Sequence, residues 1–341
     1  MDYVEEILDF FIKSGASDLH LSVDKPPMVR LHGKMEVVSN NHRNIEMKDI
    51  EEFMNKYQEY KLNEYQKLIN NQIFSIDSSF SFHDRRFRIH IYKSFSGVVI
   101  VFRILQEEIP TIESLFLPSE VNLFTTFRKG LLLVTGPTGS GKSTTLAAIL
   151  NKINHEQKKV MVTVEDPIEY MYKEDKCRIE QREVGIHVSS FGDATRDMMR
   201  EDPDIILVGE MRDIETIKNA ITLSETGHLV FATLHTKSVA DSVDRIIDIF
   251  PAEQQQQVRV QLSYILLGVL NQNLVKGNTG MVPLSELLIL NPVTSSLLRQ
   301  GKNNATLRDY IRSANNGSVH LIDNVAWHIK NNRMGNVKNF V

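Results

Sequence analysis

Hydrophobic residues in the first third of the chain repeat with both helical and strand periods. Val4, Ile7, Leu8 and Phe11 recur at helical spacing, and Gly15 follows as a helix stop. The other predicted elements here are a charged amphipathic helix over residues 47–70 and alternating strands near 18–23, 28–31, 73–82, 86–92 and 97–105. This mixture predicts a small α+β domain over residues 1–108.

From Lys129 onward the pattern changes to strand, helix, strand, helix. Apolar strand candidates lie at 131–135, 160–164, 205–208 and 229–234. Such runs, alternating with helices, predict a largely parallel sheet covered on both faces, with its ligand site at the carboxyl ends of the strands.

Beyond Phe250 the pattern predicts mainly helices, at 252–270, 293–300, 304–315 and 319–330. Val258 to Leu270 is the most apolar segment and is interpreted as a buried helix. Pro110 and Pro118 bracket a predicted linker over 109–117, so the second domain is expected to span 118–341.

Charge and composition exclude several classes of protein. A formal net charge of -4 gives no general attraction for nucleic acid or anionic lipid. The single cysteine, Cys177, excludes an internal disulfide and a cysteine-based zinc site. The acidic start, Met1 to Glu6, is unlike a signal peptide, and no run of about 18 apolar residues is present. We expect a soluble protein whose membrane association comes through a partner.

A phosphate loop follows the first of these buried strands. Gly136 to Ser143 reads G-P-T-G-S-G-K-S, and a helix-forming stretch comes after it. Glycines let backbone N–H groups turn inward toward an anion, Lys142 can reach the β- and γ-phosphates, and the Ser143 hydroxyl can ligate Mg²⁺. The alternative is a glycine-rich turn that binds nothing. The predicted nucleotide-binding residues are Gly136, Pro137, Thr138, Gly139, Ser140, Gly141, Lys142, Ser143 and Thr144.

Acidic residues end two of the other strands. Glu165 and Asp166 follow the second strand and can hold Mg²⁺ through water or position an attacking water, although a solvated acidic turn is the alternative. Glu210 follows the strand 205–208, as in a Walker B motif, and is the predicted catalytic carboxylate. Gly209 stands where many nucleotide-hydrolysing enzymes have an aspartate. Asp213 fits the role of helix cap better than Glu210 does.

Two histidines flank the last strand of this series. His228 opens it and His235 ends it, so they lie about 20 Å apart, too far to share a metal ion. His235, at the nucleotide end, can donate a hydrogen bond to a γ-phosphate or to Glu210. His228 is assigned to a subunit or domain contact, and a buried structural role is the alternative for either residue.

These motifs resemble those of the type II and type IV secretion ATPases, in the same order and spacing. A-S-D-L-H-L-S from Ala16, R-E-D-P-D-I-I-L-V-G-E-M-R-D from Arg200 and T-G-H-L-V-F-A-T-L-H-T from Thr226 are similar to the PilT-type retraction ATPases of type IV pili. The resemblance implies a PAS-like N-terminal domain, a RecA-like P-loop domain with a mainly helical C-terminal end, and a homohexamer. It also implies that Arg88 and Arg103 complete the site from the N-terminal domain; a salt-bridged surface strand is the alternative.

Two segments depart from the family pattern. Lys93 to Gly97 lacks an arginine that relatives carry, and Val293 to Arg299 keeps only the final arginine and the apolar spacing of an element tied to retraction. The direction of the motor is therefore left open.

The resulting hypothesis is an ATP- and Mg²⁺-dependent motor that powers pilus retraction. It would act at the cytoplasmic face of the inner membrane on a membrane-embedded platform protein, and on pilin indirectly, without binding nucleic acid or inserting into the membrane. An accessory, extension or DNA-uptake ATPase is the alternative. A nucleic-acid translocase is disfavoured by the missing basic stripe, and a small-molecule kinase by the missing acceptor site.

Overall fold

The computed structural model describes residues 2–38, 43–105, 108–278, 280–301, 304–313 and 318–335. Within them the chain divides into two compact units. The first comprises residues 1–108 with 169–171, and the second comprises 109–168 with 172–341.

The first unit combines one antiparallel sheet with helices. Its sheet has the order β3-β2-β1-β6-β5-β4, and every neighbouring pair is antiparallel. The strands are β1 (Asp18–Ser22), β2 (Met28–Leu31), β3 (Lys34–Val37), β4 (Ser75–Phe82), β5 (Arg85–Ser94) and β6 (Gly97–Ile104), and the helices are α1 (Tyr3–Ser14), α2 (Met47–Tyr57) and α3 (Leu62–Ile69). The strands predicted at 18–23, 28–31, 73–82, 86–92 and 97–105 are thus confirmed to within a few residues.

Helix α1 has defined start and stop signals. The Asp2 side chain accepts a hydrogen bond from the Glu5 backbone N–H, and the Glu5 carboxylate accepts one from the Asp2 backbone N–H, which forms a capping box. Gly15 ends the helix in the left-handed conformation at φ 69°, which glycine adopts without strain. The apolar side of α1 joins a core rich in phenylalanine, where Phe53 packs edge-on against Phe80 and Phe102.

The single helix predicted over 47–70 is wrong, because the chain breaks it at Gln58. A short 3₁₀ turn, Glu59–Lys61, separates α2 from α3. Gln58 is fully buried; its amide donates to the Ser79 carbonyl and accepts from the Ser78 hydroxyl on β4. This tertiary contact fixes the break, and the apolar periodicity alone does not reveal it.

The second unit is built around a seven-stranded sheet of order β13-β12-β7-β11-β10-β8-β9. Its strands are β7 (Gly130–Thr135), β8 (Val160–Glu165), β9 (Arg178–Glu183), β10 (Ile205–Val208), β11 (Leu229–Leu234), β12 (Leu266–Lys276) and β13 (Met281–Ile289). Its helices are α4 (Lys142–Glu156), α5 (Phe191–Asp197), α6 (Ile214–Glu225), α7 (Val239–Asp248), α8 (Ala252–Ile265), α9 (Pro292–Arg299), α10 (Asn304–Arg312) and α11 (Leu321–Lys330).

Both faces of this sheet are buried, as the continuous apolar strands predict. All six residues of β7 are buried, with Leu131 and Leu133 in one hydrophobic cluster and Leu132 and Val134 in another on the opposite face. Strands β12, β7, β11, β10, β8 and β9 run parallel to one another, and β13 pairs with β12 in the antiparallel sense. The predicted, largely parallel sheet is therefore confirmed.

The helix predicted over 252–270 is wrong beyond Ile265. Helix α8 ends there, and Leu266–Lys276 forms β12, which pairs with β7 and with β13. A strand buried on both faces and a buried helix give the same unbroken apolar run, so the pattern could not separate them. Glycine is needed at position 268 of this strand, since a Cβ there would lie 2.8 Å from the Phe124 ring.

The three later helices agree with their predictions, except that positions 314 and 315 of the one predicted over 304–315 lie outside the described residues. Within the predicted linker, Ile112 and Leu117 are buried in a core cluster of the second unit. Over the part of the chain that the structure describes, none of the helices has the length and apolar character needed to cross a bilayer.

Candidate nucleotide-binding and catalytic site

The phosphate loop connects the last residue of β7 to the first residue of α4. Gly136, Gly139 and Gly141 have φ values of 144°, 75° and 86°, a region that side chains with a Cβ rarely adopt. A Cβ on Gly136 would lie 2.1 Å from the Gln272 carbonyl oxygen, whereas one on Gly139 would meet nothing within 4 Å. Glycine is therefore required at 136 by space as well as by conformation.

The loop and the start of α4 fit a chain of phosphates. Gly141 caps α4 without a side-chain hydrogen bond, so its first turn, with Ser143 and Thr144, presents its backbone dipole to an anion. The Ser140 hydroxyl is buried and has no hydrogen-bond partner among the described residues. The Lys142 ammonium donates to the Gly136 and Pro137 carbonyls, both at 3.0 Å, so it already lies over the loop.

Strand register brings three predicted side chains to the same edge as the loop. Leu234 pairs with Thr135, and Val208 pairs with both Ala232 and Val164. The carboxyl ends of β7, β11, β10 and β8 are therefore neighbours. The residues that end or follow β11, β10 and β8 are His235, Glu210 and Glu165.

Glu210 and His235 are in direct contact. The Glu210 Oε1 atom lies 3.1 Å from His235 Nε2 and 2.7 Å from Arg212 Nε. Burial acts to raise the pKa of Glu210, but the hydrogen bond from Arg212 and the charge of His235 outweigh it and hold the pKa below its usual value. The carboxyl group is therefore ionised at neutral pH and can accept a hydrogen bond from water.

Glu165 ends β8 beside this pair, and Asp166 is exposed after it. The Glu165 carboxylate accepts a hydrogen bond from the Thr163 hydroxyl at 2.8 Å and one from the Gln181 amide at 3.3 Å. A Cβ on Gly209 would lie 2.9 Å from the Val164 carbonyl oxygen and 3.2 Å from the Glu165 Cα. Close packing of β10 against β8 thus accounts for glycine where an aspartate is common in other enzymes.

The other three predicted residues do not follow the carboxyl ends of these four strands. His228 precedes β11 at its opposite end, where its Nδ1 lies 2.9 Å from the Leu223 carbonyl, a contact that ties the strand to the end of α6. Arg88 and Arg103 belong to the first unit and face each other across β5 and β6. Arg103 is ion-paired with Asp18 at 2.8 Å, and Arg88 lies 3.9 Å from Asp77.

The structure adds polar residues that the sequence pattern did not identify. Asn271 and Gln272, on β12, are buried and form hydrogen bonds with groups around the phosphate loop. Arg212 lies two residues after Glu210, and the sequence pattern assigns it no role. The signal available for β12 was a run of consecutive amides, Asn271 to Asn273, inside an apolar segment.

Comparison with known proteins places the chain in one family. The model of the type II/IV secretion system protein family matches residues 1–279. The chain is 42% identical over 301 residues to the type IV pilus retraction ATPase PilT of Pseudomonas aeruginosa, covering 88% of this chain and 86% of that protein. It is 44% identical over 280 residues to a twitching motility protein of Neisseria gonorrhoeae, covering 81% and 73%.

A solved structure gives the same result for the fold. The crystal structure of the pilus retraction motor PilT with bound ADP superposes with a TM-score of 0.87 at 38% identity, covering 98% of this chain and 95% of that chain. The predicted fold class and the resemblance to PilT-type ATPases are confirmed, while the PAS-like character of the first domain stays a prediction. The chain belongs to the type II/IV secretion system protein family.

Proposed function

We propose that this protein hydrolyses ATP to power the retraction of type IV pili. The observation that carries the proposal is the contact between His235, which follows β11 beside the phosphate-loop strand, and Glu210, which follows β10 on the other side of β11. Membership in a family whose relatives include a pilus retraction ATPase and a twitching motility protein supports the same conclusion.

The site residues divide into binding and catalytic roles. Residues 136–144 bind the phosphates of ATP, with Lys142 balancing their charge. Oxygen ligands from Ser143, and from Glu165 and Asp166 through water, fit a magnesium ion, which when bound neutralises charge on the phosphates. Glu210 orients the attacking water, and His235 links this carboxylate to the γ-phosphate.

The lowered pKa of Glu210 limits the role that its carboxylate can have in hydrolysis. Because its pKa is held low by Arg212 and His235, the carboxylate orients water well but is a weak base. Release of the Arg212 hydrogen bond would return the pKa toward its usual range. We therefore assign Glu210 chiefly to the positioning of water. We assign His228, at the far end of β11, to a structural contact with the end of α6.

The working assembly is proposed to be a homohexamer at the cytoplasmic face of the inner membrane. There it would act on a membrane-embedded platform protein and on pilin only through that partner. Arg88 and Arg103 of one copy would approach the γ-phosphate held by another copy. A planar guanidinium suits phosphate oxygens, and such contacts can contribute about 10³–10⁵-fold to the rate.

Deletion of the gene tests the direction of the motor. Cells without it should carry an excess of pili that do not retract, and wild-type protein should restore retraction while Glu210→Gln should not. Cells without surface pili would instead indicate an extension ATPase, and unchanged pilus number and retraction would contradict any pilus motor role. The measurement is imaging of labelled pili on living cells.

A further inference from the structure

Two neighbouring amides on β12 are buried on opposite faces of the sheet. Gln272 is 1% exposed, and its side chain is hydrogen-bonded to Thr145 of α4 on one face of the sheet. Asn271 is 8% exposed, and its side chain is hydrogen-bonded on the other face to Thr135, next to Ser242 of α7. Burial of an amide side chain is costly unless it is hydrogen-bonded. The hydrogen-bond partners of these two amides lie around the phosphate loop.

Gln272 holds the phosphate loop at Ser140 and the start of α4 at Thr145. Its Nε2 donates to the Ser140 carbonyl at 2.6 Å, and its Oε1 accepts from the Thr145 hydroxyl at 2.9 Å. Ser140 and Thr145 flank Lys142 and Ser143 in the sequence. The Gln272 backbone carbonyl also packs against Gly136. One residue therefore constrains the loop at its start, its middle and its exit into α4.

Asn271 joins the loop strand to the segment that carries His235. Its Nδ2 donates to the Thr135 hydroxyl at 2.9 Å and to the Thr236 carbonyl at 3.1 Å. Thr135 directly precedes the loop, and Thr236 directly follows His235. The Ser242 hydroxyl of α7 completes the network, 3.1 Å from the Thr135 hydroxyl and 2.7 Å from the Thr236 hydroxyl.

We infer that Asn271 and Gln272 are positioning residues with separable roles in ATP hydrolysis. Gln272 fixes the shape of the phosphate loop and so controls nucleotide affinity. Asn271 fixes His235, and through it Glu210, and so controls the rate of the bound complex. The inference rests on the proposed ATPase function and adds two residues that touch no substrate.

Gln272→Met tests the first role in the full-length protein. Methionine keeps the volume but removes both hydrogen bonds, so the Kd for Mg-ADP should rise about tenfold. Asn273→Ala is the matched control, because Asn273 is the next residue of β12 and its side chain is exposed. Thr145→Val removes one of the same hydrogen bonds from the α4 side and should raise the Kd in the same direction.

A double variant separates positioning from general destabilisation. Gln272→Met combined with Thr145→Val should raise the Kd by less than the product of the single effects, because both changes break one shared contact. Thermal unfolding without nucleotide reports folding separately. If Gln272→Met does not fold, Thr145→Val alone supplies the affinity test.

Asn271→Ala tests the second role by a split between kcat and affinity. Its kcat should fall about tenfold, while its Kd for Mg-ADP should stay within about twofold of wild type. An unchanged kcat in a folded Asn271→Ala protein, or an unchanged Kd in folded Gln272→Met or Thr145→Val, would overturn the inference. So would equal losses of affinity in all variants, which a merely structural role predicts.

Wild-type protein distinguishes the failure of this inference from failure of the proposed function. If wild type binds Mg-ADP and hydrolyses ATP while the variants behave like it, only the positioning roles are wrong. If wild type neither binds nor hydrolyses nucleotide, the proposed function fails and the inference fails with it.

Discussion

The two sheets of the molecule carry their charged residues in different places. In the second unit the central strands β7, β10 and β11 are buried on both faces, and polar side chains gather where the central strands end, at Glu165, Glu210 and His235. In the first unit one face packs on a phenylalanine-rich core, and charged residues such as Arg88 and Arg103 occupy alternate positions along the strands.

Because of this difference, the position of a charged residue indicates a function in the second sheet but not in the first. A charge at the end of a doubly buried parallel strand is at the edge where ligands bind in such sheets. A charge at an alternate position of an antiparallel strand faces solvent by default and needs no ligand to explain it. The carboxylate and histidine of the second sheet are thus identified by topology, whereas the arginines of the first require experiment.

The largest expected effect would show that arginines of the first sheet also act in catalysis. Arg88→Ala and Arg103→Ala should each lower kcat of the assembled protein about 10³-fold, because a guanidinium that contacts the γ-phosphate stabilises its charge during hydrolysis. Arg88→Ala should change stability by no more than about 1 kcal/mol, since its ion pair with Asp77 is exposed. Arg103→Ala should cost about 1–3 kcal/mol, because it removes the hydrogen bond to the buried carboxylate of Asp18. Steady-state ATPase assays and denaturant unfolding measure the two quantities.

Arg30→Ala is the control for these arginines. Arg30 lies on the same face, next to Asp18 at 3.9 Å, and has no assigned role at the nucleotide. If all three alanine variants keep full activity, Arg88 and Arg103 are surface residues without a catalytic role. Charged residues along the strands of the first sheet would then have no part in ATP hydrolysis.

Glycine substitutions in the phosphate loop compare a position that has no space for a Cβ with one that has. Gly136→Ala places a Cβ 2.1 Å from the Gln272 carbonyl and should weaken Mg-ADP binding about 10²-fold. Gly139→Ala has open space around its Cβ, so only its φ of 75° is unfavourable and the effect should be a few-fold. Calorimetric titration measures both, and equal Kd values for the two variants would contradict the packing argument.

The smallest expected effect concerns a buried charge in the first unit. Hydrogen bonds from Lys56 and Tyr57 lower the pKa of Glu5 to about 2 against the opposing effect of burial. The folded pKa is below the unfolded value, so the stabilisation is complete above about pH 4.5 and is lost as the pH falls through about 2. Glu5→Gln should cost about 1–3 kcal/mol at pH 7.

Denaturant unfolding followed by far-UV circular dichroism at several pH values checks this prediction. The stability gap between wild type and Glu5→Gln should shrink as the pH is lowered from about 4.5. The exposed neighbour Glu6 supplies the control, and Glu6→Gln should stay within about 0.5 kcal/mol of wild type. A gap that does not depend on pH would show that the Glu5 charge is not the cause.

Sequence patterns predicted β7, β8, β10 and β11 of the second sheet, because each of these strands is a short apolar run bounded by polar residues. Val208 followed by Gly209 and Glu210, and Leu234 followed by His235, place chemistry at strand ends without knowledge of any contact. The phosphate loop is likewise local, since its glycines and lysine lie within eight residues.

Contacts between segments distant in the sequence account for what the patterns missed. Gln58 breaks a helix by bonding to β4, and Gln272 supports a loop 132 residues before it through the Ser140 carbonyl. The continuous apolar run over Val258 to Leu270 hid the change from helix to strand, and with it Asn271. Arg212 adjoins the predicted carboxylate, but only the fold shows that it lowers the pKa of Glu210.

The central claim is that Glu210 positions the water that cleaves ATP held in the phosphate loop. Full-length Glu210→Gln protein, incubated with Mg-ATP and then analysed for bound nucleotide, tests it most directly, with the exposed Glu215→Gln as control. The account predicts ATP bound with near wild-type affinity and turnover slower by about 10²-fold or more. Formation of ADP by Glu210→Gln at the wild-type rate would contradict it.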